Sequence, residues 1–489
     1  MPRSVKIHPD RKQQVISAIE RNGFLTQGDL ATNLGIVLST VSNFINSKSV
    51  YISTFEQICE KLNLDKREIL KPINSDSDTS PEDSTSPQGF YAYDNAWVGR
   101  EKLVAELSQK LRGSCRLLLI LGLTGIGKTA LAERLAVQLQ DWFSGDWKNK
   151  LRRANFDYED KATDFASVAA RWLEEWGERL SAEDKKPEKL LQRLVKYLRE
   201  NQVLVLIDSL EKLLTGNEED GWGDFADEWW EKFFLSLLSA ESCQSRLIIT
   251  SQDLPVKLVD FRYKNFWHRE VLYGLNESEQ EALFETTGLD VNQDSPDRPL
   301  LLRIGKAYKG HPLVLRVIIG EICESFDAKV QAYWNDINSK IEDVEKAIYE
   351  AEKGQILGEQ DEWKLHKLTF KVQREINKQR LEVTFDRLEK QVKDAYILIC
   401  AASVYRAPVQ AEGWLMQLVN FVKRIENKQC SEERQERALK ELCDRFLAEG
   451  SVNHNNKPVL GQHNLVRSVA LANYQKLLTS LKNQNQHEH

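Results

Sequence analysis

The sequence contains no apolar run near the roughly 18 residues needed to cross a bilayer. Its longest candidates, Leu117–Leu121 and 395–402, have the length of a strand or a helix segment. The opening residues Met1-Pro2-Arg3-Ser4-Val5-Lys6 carry charge with no apolar region after them, so a secretory signal is not expected. Cysteine is sparse and scattered: Cys59, Cys115, Cys243, Cys323, Cys400, Cys430 and Cys443 are odd in number and form no C-x-x-C pair. That usage fits a reducing cytoplasm and opposes a disulfide scaffold or a zinc ribbon. A strong charge of one sign is also missing, since the net charge of −7 over 489 residues does not mark the whole chain as a polyanion binder. What remains is ordinary for globular domains, with 41% hydrophobic residues and a mean hydropathy of −0.48. Length alone implies about three domains. The expectation is a cytoplasmic protein with no membrane partner.

Residues 72–89, PINSDSDTSPEDSTSPQG, hold three prolines, five serines and four acidic residues with little to bury. Such a stretch cannot offset its ordering entropy, so it reads as a flexible tether over 72–90 that isolates 1–71 as a small domain. Beyond it, Leu117–Leu121, 203–207 and 247–250 are unbroken apolar strands separated by helical patterns, among them Phe165, Val168, Ala169, Trp172, Leu173, Trp176 and Leu180. Strands without alternation point to a parallel sheet covered on both faces. After about residue 270 the strand signals end, and 303–323, 336–390 and much of 396–481 read as helices. No repeat of 20–50 residues is visible. The acidic, tryptophan-rich stretch 215–234 reads as a helix with one solvated and one buried side, or as a partner-docking loop.

Gly122-Leu123-Thr124-Gly125-Ile126-Gly127-Lys128-Thr129 matches G-x-x-x-x-G-K-[ST], follows an apolar strand and opens a helical pattern. Glycines let successive N–H groups turn toward phosphate oxygens, and the new helix points its positive end at the same anion. Thr124, Gly125, Ile126, Gly127, Lys128, Thr129 and Ala130 are therefore the candidate phosphate-binding residues. Lys128 would reach the β- and γ-phosphates, and the Thr129 hydroxyl would join a Mg2+ shell. Asp208, at the end of the apolar run 203–207, is the second candidate magnesium ligand. Glu211 either polarises an attacking water or is an exposed first-turn glutamate. No N-K-x-D is present: the runs beginning at Asn149, Asn377, Asn427 and Asn456 all lack the aspartate that reads guanine. ATP or ADP is the expected nucleotide.

In order, these motifs resemble the STAND class of signalling ATPases, the NB-ARC and NACHT-like switches, over about 95–475. Val98-Gly99-Arg100-Glu101 is similar to the family's VGRE element, which implies that Val98 and Arg100 lie against adenine. Asp208-Ser209-Leu210-Glu211 resembles the NACHT form of the magnesium-binding strand end. Ile248-Ile249-Thr250-Ser251 resembles the sensor strand, but Gln252 stands where the family usually has a γ-phosphate-sensing arginine. Gly310-His311-Pro312-Leu313 occupies the place of GLPL, whose proline packs on the base; Pro312 alone reads equally as a helix N-terminal proline. Gln462-His463-Asn464-Leu465-Val466-Arg467 resembles MHDLVR, which implies that His463 touches the β-phosphate of ADP; by itself it reads as a core-edge histidine. Asn464 replaces the usual aspartate.

The resemblance implies a fold that is multidomain α/β plus α: a P-loop NTPase core with a parallel sheet over 91–270, a helical domain with a charged insertion over 271–379, and a winged helix over 380–480. It also implies a closed ADP state, an open ATP/Mg2+ state that forms a homo-oligomer, and slow, switch-like hydrolysis with Lys128, Asp208 and Glu211 as the catalytic group. Moving a population from 1:99 to 99:1 takes about 5.5 kcal/mol of ligand discrimination. One histidine–phosphate contact supplies roughly 1.5–3 kcal/mol, so an upstream signal or oligomer contacts must add the rest. Sensing repeats usual in the family are expected in a separate sensor protein, or their task falls to residues 1–71 and the bare core.

Residues 1–71 look like a small all-α, lambda-repressor-type helix-turn-helix domain. A first helix begins in 14–19, the first motif helix covers 26–34, Gly35 makes the turn, and 38–46 is the recognition helix. Phe55, Ile58, Cys59 and Leu62 share the face of a closing helix. Ser39, Thr40, Ser42 and Asn43 are the candidate DNA-binding residues. The module carries a net charge of only +3, so DNA binding and self-association or partner docking both remain open. Two other readings stand beside the switch: an AAA+-like ATPase that loads a partner on DNA, and a nucleotide-sensing transcription regulator.

Overall fold

The structure is a computed structural model. It describes residues 97–487 except 144–149, 158–162, 218–220, 254, 256–262, 355–361, 427 and 453–457. Nearer the N-terminus it describes 4–8, 11–22, 24, 30, 33–34, 38–45, 47, 50–62, 64 and 69. The expected tether at 72–90, Gly35, and most of the first motif helix lie outside the described residues.

In the N-terminal unit, β1 (Ser4–Val5), α1 (Lys12–Arg21), α2 (Leu38–Ile45), β2 (Val50–Tyr51) and α3 (Ile52–Lys61) surround one apolar core. Val15, Ala18, Val41, Phe44, Phe55, Ile58, Cys59 and Leu62 are buried in it, at the spacings that put each set on one helix face. The β1–β2 antiparallel pair was not anticipated; two residues per strand give no periodic signal.

The middle of the chain runs α4 (Glu101–Arg112), β3 (Leu117–Leu121), α5 (Lys128–Gln138), β4 (Leu151–Asn155), α6 (Phe165–Glu175), α7 (Pro187–Glu200) and β5 (Leu204–Asp208). Then come β6 (Leu214–Asn217), β7 (Gly221–Phe225), α8 (Glu228–Ser239), β8 (Arg246–Ser251) and β9 (Trp267–Val271). Five parallel strands form one sheet in the order β4-β5-β8-β3-β9. The three central strands are fully buried, which explains their continuous apolar runs. The edge strands β4 (LRRAN) and β9 (WHREV) are only half-buried and carry charge.

The stretch 215–234 departs from the single helix expected of it. Leu214–Asn217 and Gly221–Phe225 form the β6–β7 antiparallel pair, and the helix starts only at Glu228. Glycine explains the change: Gly216 has φ +98°, and a Cβ on Gly223 would lie 2.7 Å from Thr215 Oγ1. Asp227 then caps α8 by accepting from Trp229 N at 3.0 Å, and also accepts from Phe165 N at 2.8 Å at the start of α6. Trp230 packs edge-on against Phe156, Phe165 and Trp172, so the aromatic side is core.

The rest is helical: α9 (Glu277–Thr286), α10 (Arg298–Ala307), α11 (Pro312–Phe326), α12 (Val330–Gly354), α13 (Glu362–Gln391), α14 (Lys393–Ala402), α15 (Ala411–Glu426), α16 (Glu432–Asp444) and α17 (Asn464–His487). Strands do not end at 270, because β10 (Glu449–Val452) and β11 (Pro458–Gly461) form a hairpin before α17. Two further apolar cores lie here, and neither shares a residue with the core of the sheet. The boundary expected at 379/380 falls inside α13, which gives Ile376 to one helical core and Leu381, Phe385 and Leu388 to the other. Buried Glu321 on α11 holds α13 through Arg380 and, at 2.7 Å, Arg387. Among the described residues, no helix is long and apolar enough to cross a membrane.

Candidate functional site

The site lies at the C-terminal ends of the parallel strands, where a sheet of this kind leaves a crevice for ligands. From β3 the chain turns through 122–127 and enters α5 at Lys128. Gly127, at φ +98°, is the residue before that helix, and a Cβ there would come 2.8 Å from Arg100 Nη1. No side chain caps α5, which leaves the first amides of the helix turned toward the loop. Lys128 lies over the loop and donates from Nζ to the Gly122 and Leu123 carbonyls at 2.9 and 3.0 Å. Thr124, Gly125, Ile126 and Gly127 thus lie in the turn, and Lys128, Thr129 and Ala130 form the first residues of α5.

Three neighbouring strands converge on Asp208. Its Oδ1 accepts from Thr129 Oγ1 at 2.9 Å and from Thr250 Oγ1 at 2.5 Å, and its Oδ2 accepts from Asn155 Nδ2 at 3.0 Å. The Thr250 oxygen in turn accepts from Ser209 N at 3.0 Å. The Thr129 hydroxyl and the Asp208 carboxylate are hard oxygen donors 2.9 Å apart. That is the spacing of adjacent ligands around an octahedral Mg2+ with bonds of about 2.0–2.1 Å, so these two residues fit the ion. Glu211 is 3% exposed, which excludes the solvent-facing alternative. Both its oxygens face Gln252, which donates from its backbone N at 3.2 Å and from Nε2 at 3.0 Å. Burial raises the Glu211 pKa, and the nearby charge of Lys128 opposes the rise.

Residues from distant parts of the chain close on this cradle. Arg100 donates from Nη2 to the Ile126 and Tyr273 carbonyls, both at 2.9 Å, while its backbone N donates to Glu279 at 2.7 Å. Burial lowers its pKa to about 10. Val98 packs at the edge of the helical core that contains Leu275 and Leu283. Pro312 is the first residue of α11, and His311 before it is the N-cap. His311 Nδ1 accepts from Val314 N at 3.4 Å, so its proton sits on Nε2, which donates to the Thr124 carbonyl at 3.1 Å. Burial, with His463, Lys128 and Arg100 nearby, pushes the His311 pKa down to about 3. A Cβ on Gly125 would lie 2.9 Å from both His311 Cε1 and Leu313 Cδ2, so α11 rests directly on the loop.

The C-terminal helix arrives at the same place. His463 Nδ1 accepts from Leu465 N at 3.2 Å, and burial lowers its pKa with Lys128 contributing. Asn464 Nδ2 donates to Asp157 Oδ2 at 2.8 Å, and the same carboxylate accepts from Ser209 Oγ. Asp157 therefore joins α17 to the residue that follows the magnesium candidate Asp208.

The expected catalytic and nucleotide residues thus share one region. The expected DNA-binding residues Ser39, Thr40, Ser42 and Asn43 are on α2, with Thr40 and Asn43 half-buried beside the buried Val41, Phe44 and Ile45. Sequence reasoning missed Asn155 and Asp157, which flank the end of an edge strand that has no apolar run. It also assigned the GHPL element to Pro312 alone and overlooked His311, although a polar residue directly before a helix-opening proline is a capping signal. Arg374, which donates to Gln252 Oε1 at 3.3 Å, has no local signal at all.

Residues 96–248 match the AAA ATPase domain family. Over 230 residues, 45% of this chain, the sequence is 27% identical to an uncharacterized WD repeat-containing protein of Nostoc sp. (strain PCC 7120), and the match spans 17% of that protein. The chain is also similar to a signal transduction ATPase with numerous domains from Pyrococcus horikoshii that carries a tetratricopeptide repeat sensor. That similarity has a TM-score of 0.42 and 15% identity, covering 80% of this chain and 44% of the other. Further similarities are to Cdc6p from Pyrobaculum aerophilum (TM-score 0.33, 13% identity, 80% and 98% covered) and to the Aeropyrum pernix ORC1 protein in complex with DNA (0.30, 15%, 77% and 93%). This chain thus spans less than a fifth of its curated relative and less than half of the Pyrococcus protein. The cradle, the Thr129–Asp208 pair and the family match fall on the same residues, and the chain carries a P-loop ATPase domain.

Proposed function

We propose that this chain is an adenine-nucleotide switch: ADP holds a closed form, and ATP with Mg2+ opens it to a homo-oligomer. The observation that carries the reading is the closure of the cradle by side chains from outside the sheet, His311 on Thr124 and Asn464 on Asp157, with His463 beside Lys128. A metabolic ATPase has no need to tie its phosphate loop to a helix outside the sheet, as His311 does at Thr124. In the closed form Val98 and Pro312 flank the adenine and His463 meets the β-phosphate. Lys128 steadies the terminal phosphates, Thr129 and Asp208 hold Mg2+, and Glu211 is the base for a slow hydrolysis that resets the switch. Residues 271–379 act as a helical domain and 380–480 as a winged helix, with α13 as the shared spine. The helix-turn-helix unit at the N-terminus is the effector, and oligomerisation would strengthen its weak DNA contacts through Ser39, Thr40, Ser42 and Asn43 by multivalency.

The AAA ATPase family match over 96–248 supports the ATPase part of a second reading, continuous hydrolysis, with DNA as the partner drawn from the helix-turn-helix resemblance of residues 1–71. One experiment separates them: nucleotide retained on purification, with mass by light scattering before and after exchange into Mg-ATP. The switch requires retained ADP on a monomer and a larger ATP assembly that Lys128→Ala cannot form. No retained nucleotide, constant mass and rapid DNA-stimulated turnover would establish the alternative.

A further inference from the structure

Neither Gln252 nor Arg374 belongs to the phosphate cradle, yet they form a chain of hydrogen bonds that ends on Glu211. Arg374 Nη2 donates to Gln252 Oε1 at 3.3 Å, and Gln252 donates to both oxygens of Glu211, from Nε2 at 3.0 Å and from its backbone N at 3.2 Å. The direction of the chain is set by chemistry. A guanidinium only donates and a carboxylate only accepts, so the amide must turn its oxygen to Arg374 and its nitrogen to Glu211. Gln252 therefore sits in one orientation, and Arg374 maintains it.

The position of Glu211 gives this chain its consequence. The carboxylate is 3% exposed, and each of its oxygens already accepts a hydrogen bond from Gln252. A general base must lie within hydrogen-bond reach of the proton it takes, with an oxygen turned to the water. Here the oxygens are turned to Gln252. Arg374 belongs to α13, which is held by the two helical cores and not by the core of the sheet. Any separation of the helical region from the sheet withdraws Arg374 from Gln252.

We propose that Arg374 and Gln252 are positioning residues that hold Glu211 away from the attacking water while the helical region is closed, and that withdrawal of Arg374 releases it. In the step so controlled, a water oxygen attacks the γ-phosphorus. The bond to the β,γ-bridging oxygen breaks, ADP leaves with the electron pair, and the water proton passes to Glu211. The position read from sequence as a γ-phosphate sensor without its arginine becomes a brake on the base, with its arginine supplied from α13. This inference rests on the ATPase reading above.

The test is steady-state hydrolysis of Mg-ATP by the full chain, with ADP affinity and mass measured on the same samples. At Mg-ATP concentrations below those that drive assembly, Arg374→Ala and Gln252→Ala should each raise kcat about tenfold, a fraction of what a positioned general base contributes, and lower ADP affinity by no more than the few-fold that one clamp bond is worth. Arg374→Lys should restore the slow rate, and adding Glu211→Gln to Arg374→Ala should abolish the gain. Should Arg374→Ala fold poorly, Gln252→Ala carries the test. An unchanged or lower kcat in the folded variants overturns the brake. Faster turnover without ATP-driven assembly would keep the brake and sink the switch; assembly without faster turnover would do the reverse.

Discussion

The two sides of the nucleotide site are built differently. The cradle is main chain and strand ends: the 122–129 turn, Asp208, Thr250 and Asn155 all belong to one buried sheet and its first helix. Among the described residues the clamp includes three single hydrogen bonds, His311 to Thr124, Asn464 to Asp157 and Arg374 to Gln252, made by residues 187, 307 and 122 positions away from their partners. The cradle cannot change shape without disturbing the sheet. Each clamp bond is worth about 0.5–1.5 kcal/mol net, so together they come to a few kcal/mol, the scale on which a bound nucleotide can shift a two-state equilibrium. The apolar cores on the two sides share no residue, so parting the clamp uncovers little beyond Leu313, which packs on Gly125.

The largest effect should come from inside the clamp's own support. Arg380→Ala leaves Glu321 buried with its ion pair to Arg387 and removes a 2.8 Å bond to Tyr333. Destabilisation by about 3–5 kcal/mol is expected in urea titrations of the helical region, with the unfolding of the sheet unchanged. A single shared transition would break the claim of separable halves. On the cradle side, Lys128→Ala should weaken ADP and ATP binding by about 100-fold in titration calorimetry, the value of one charge-assisted contact to phosphate, and leave urea stability intact.

Asn464→Asp addresses the clamp itself. It would set a second carboxylate 2.8 Å from Asp157, in place of a donor. The closed form should lose about 1–2 kcal/mol, seen as larger assemblies at lower ATP. Asp157→Asn combined with Asn464→Asp should restore the bond, and a double-mutant cycle with no coupling would remove it from the clamp.

Over the window from about pH 7.5 to about pH 5.5, the smallest effect is in pH. His311 has a native pKa of about 3 against 6.5 when unfolded, so the unfolded chain gains a proton that the folded chain refuses between those values. Stability is therefore complete above pH 6.5 and falls as pH drops toward 3, by up to about 1.4 kcal/mol per unit, with His463 acting in the same direction. His311→Gln should flatten the decline in urea midpoints measured from about pH 7.5 to about pH 5.5. An unaltered slope would place the pH dependence elsewhere.

The same contrast explains what could be read in advance. Leu117–Leu121, the run ending at Asp208 and the strand ending at Ser251 are buried on both faces, so their composition announces them, and the cradle at their ends came with them. The edge strand LRRAN shows the outside of the sheet to solvent, mixes charge with apolar residues, and hid Asn155 and Asp157. Glycine-driven pairing of Leu214–Phe225 was obscured by the tryptophans that follow it. His463 and Asn464 were visible only through the order of motifs, and their partner Asp157 was not. Arg374 stands in a long charged helix where nothing local separates it from its neighbours; only the folded chain brings it to Gln252.

The central claim is that the clamp parts when ATP replaces ADP. Hydrogen–deuterium exchange reads it directly at 463–467, where the Leu465 amide is held by His463 Nδ1 and the Arg467 amide by the His463 carbonyl. The account predicts slow exchange there with ADP and markedly faster exchange with Mg-ATP, while β3, β5 and β8 stay equally protected in both. Identical exchange at 463–467 in the two nucleotides would contradict it.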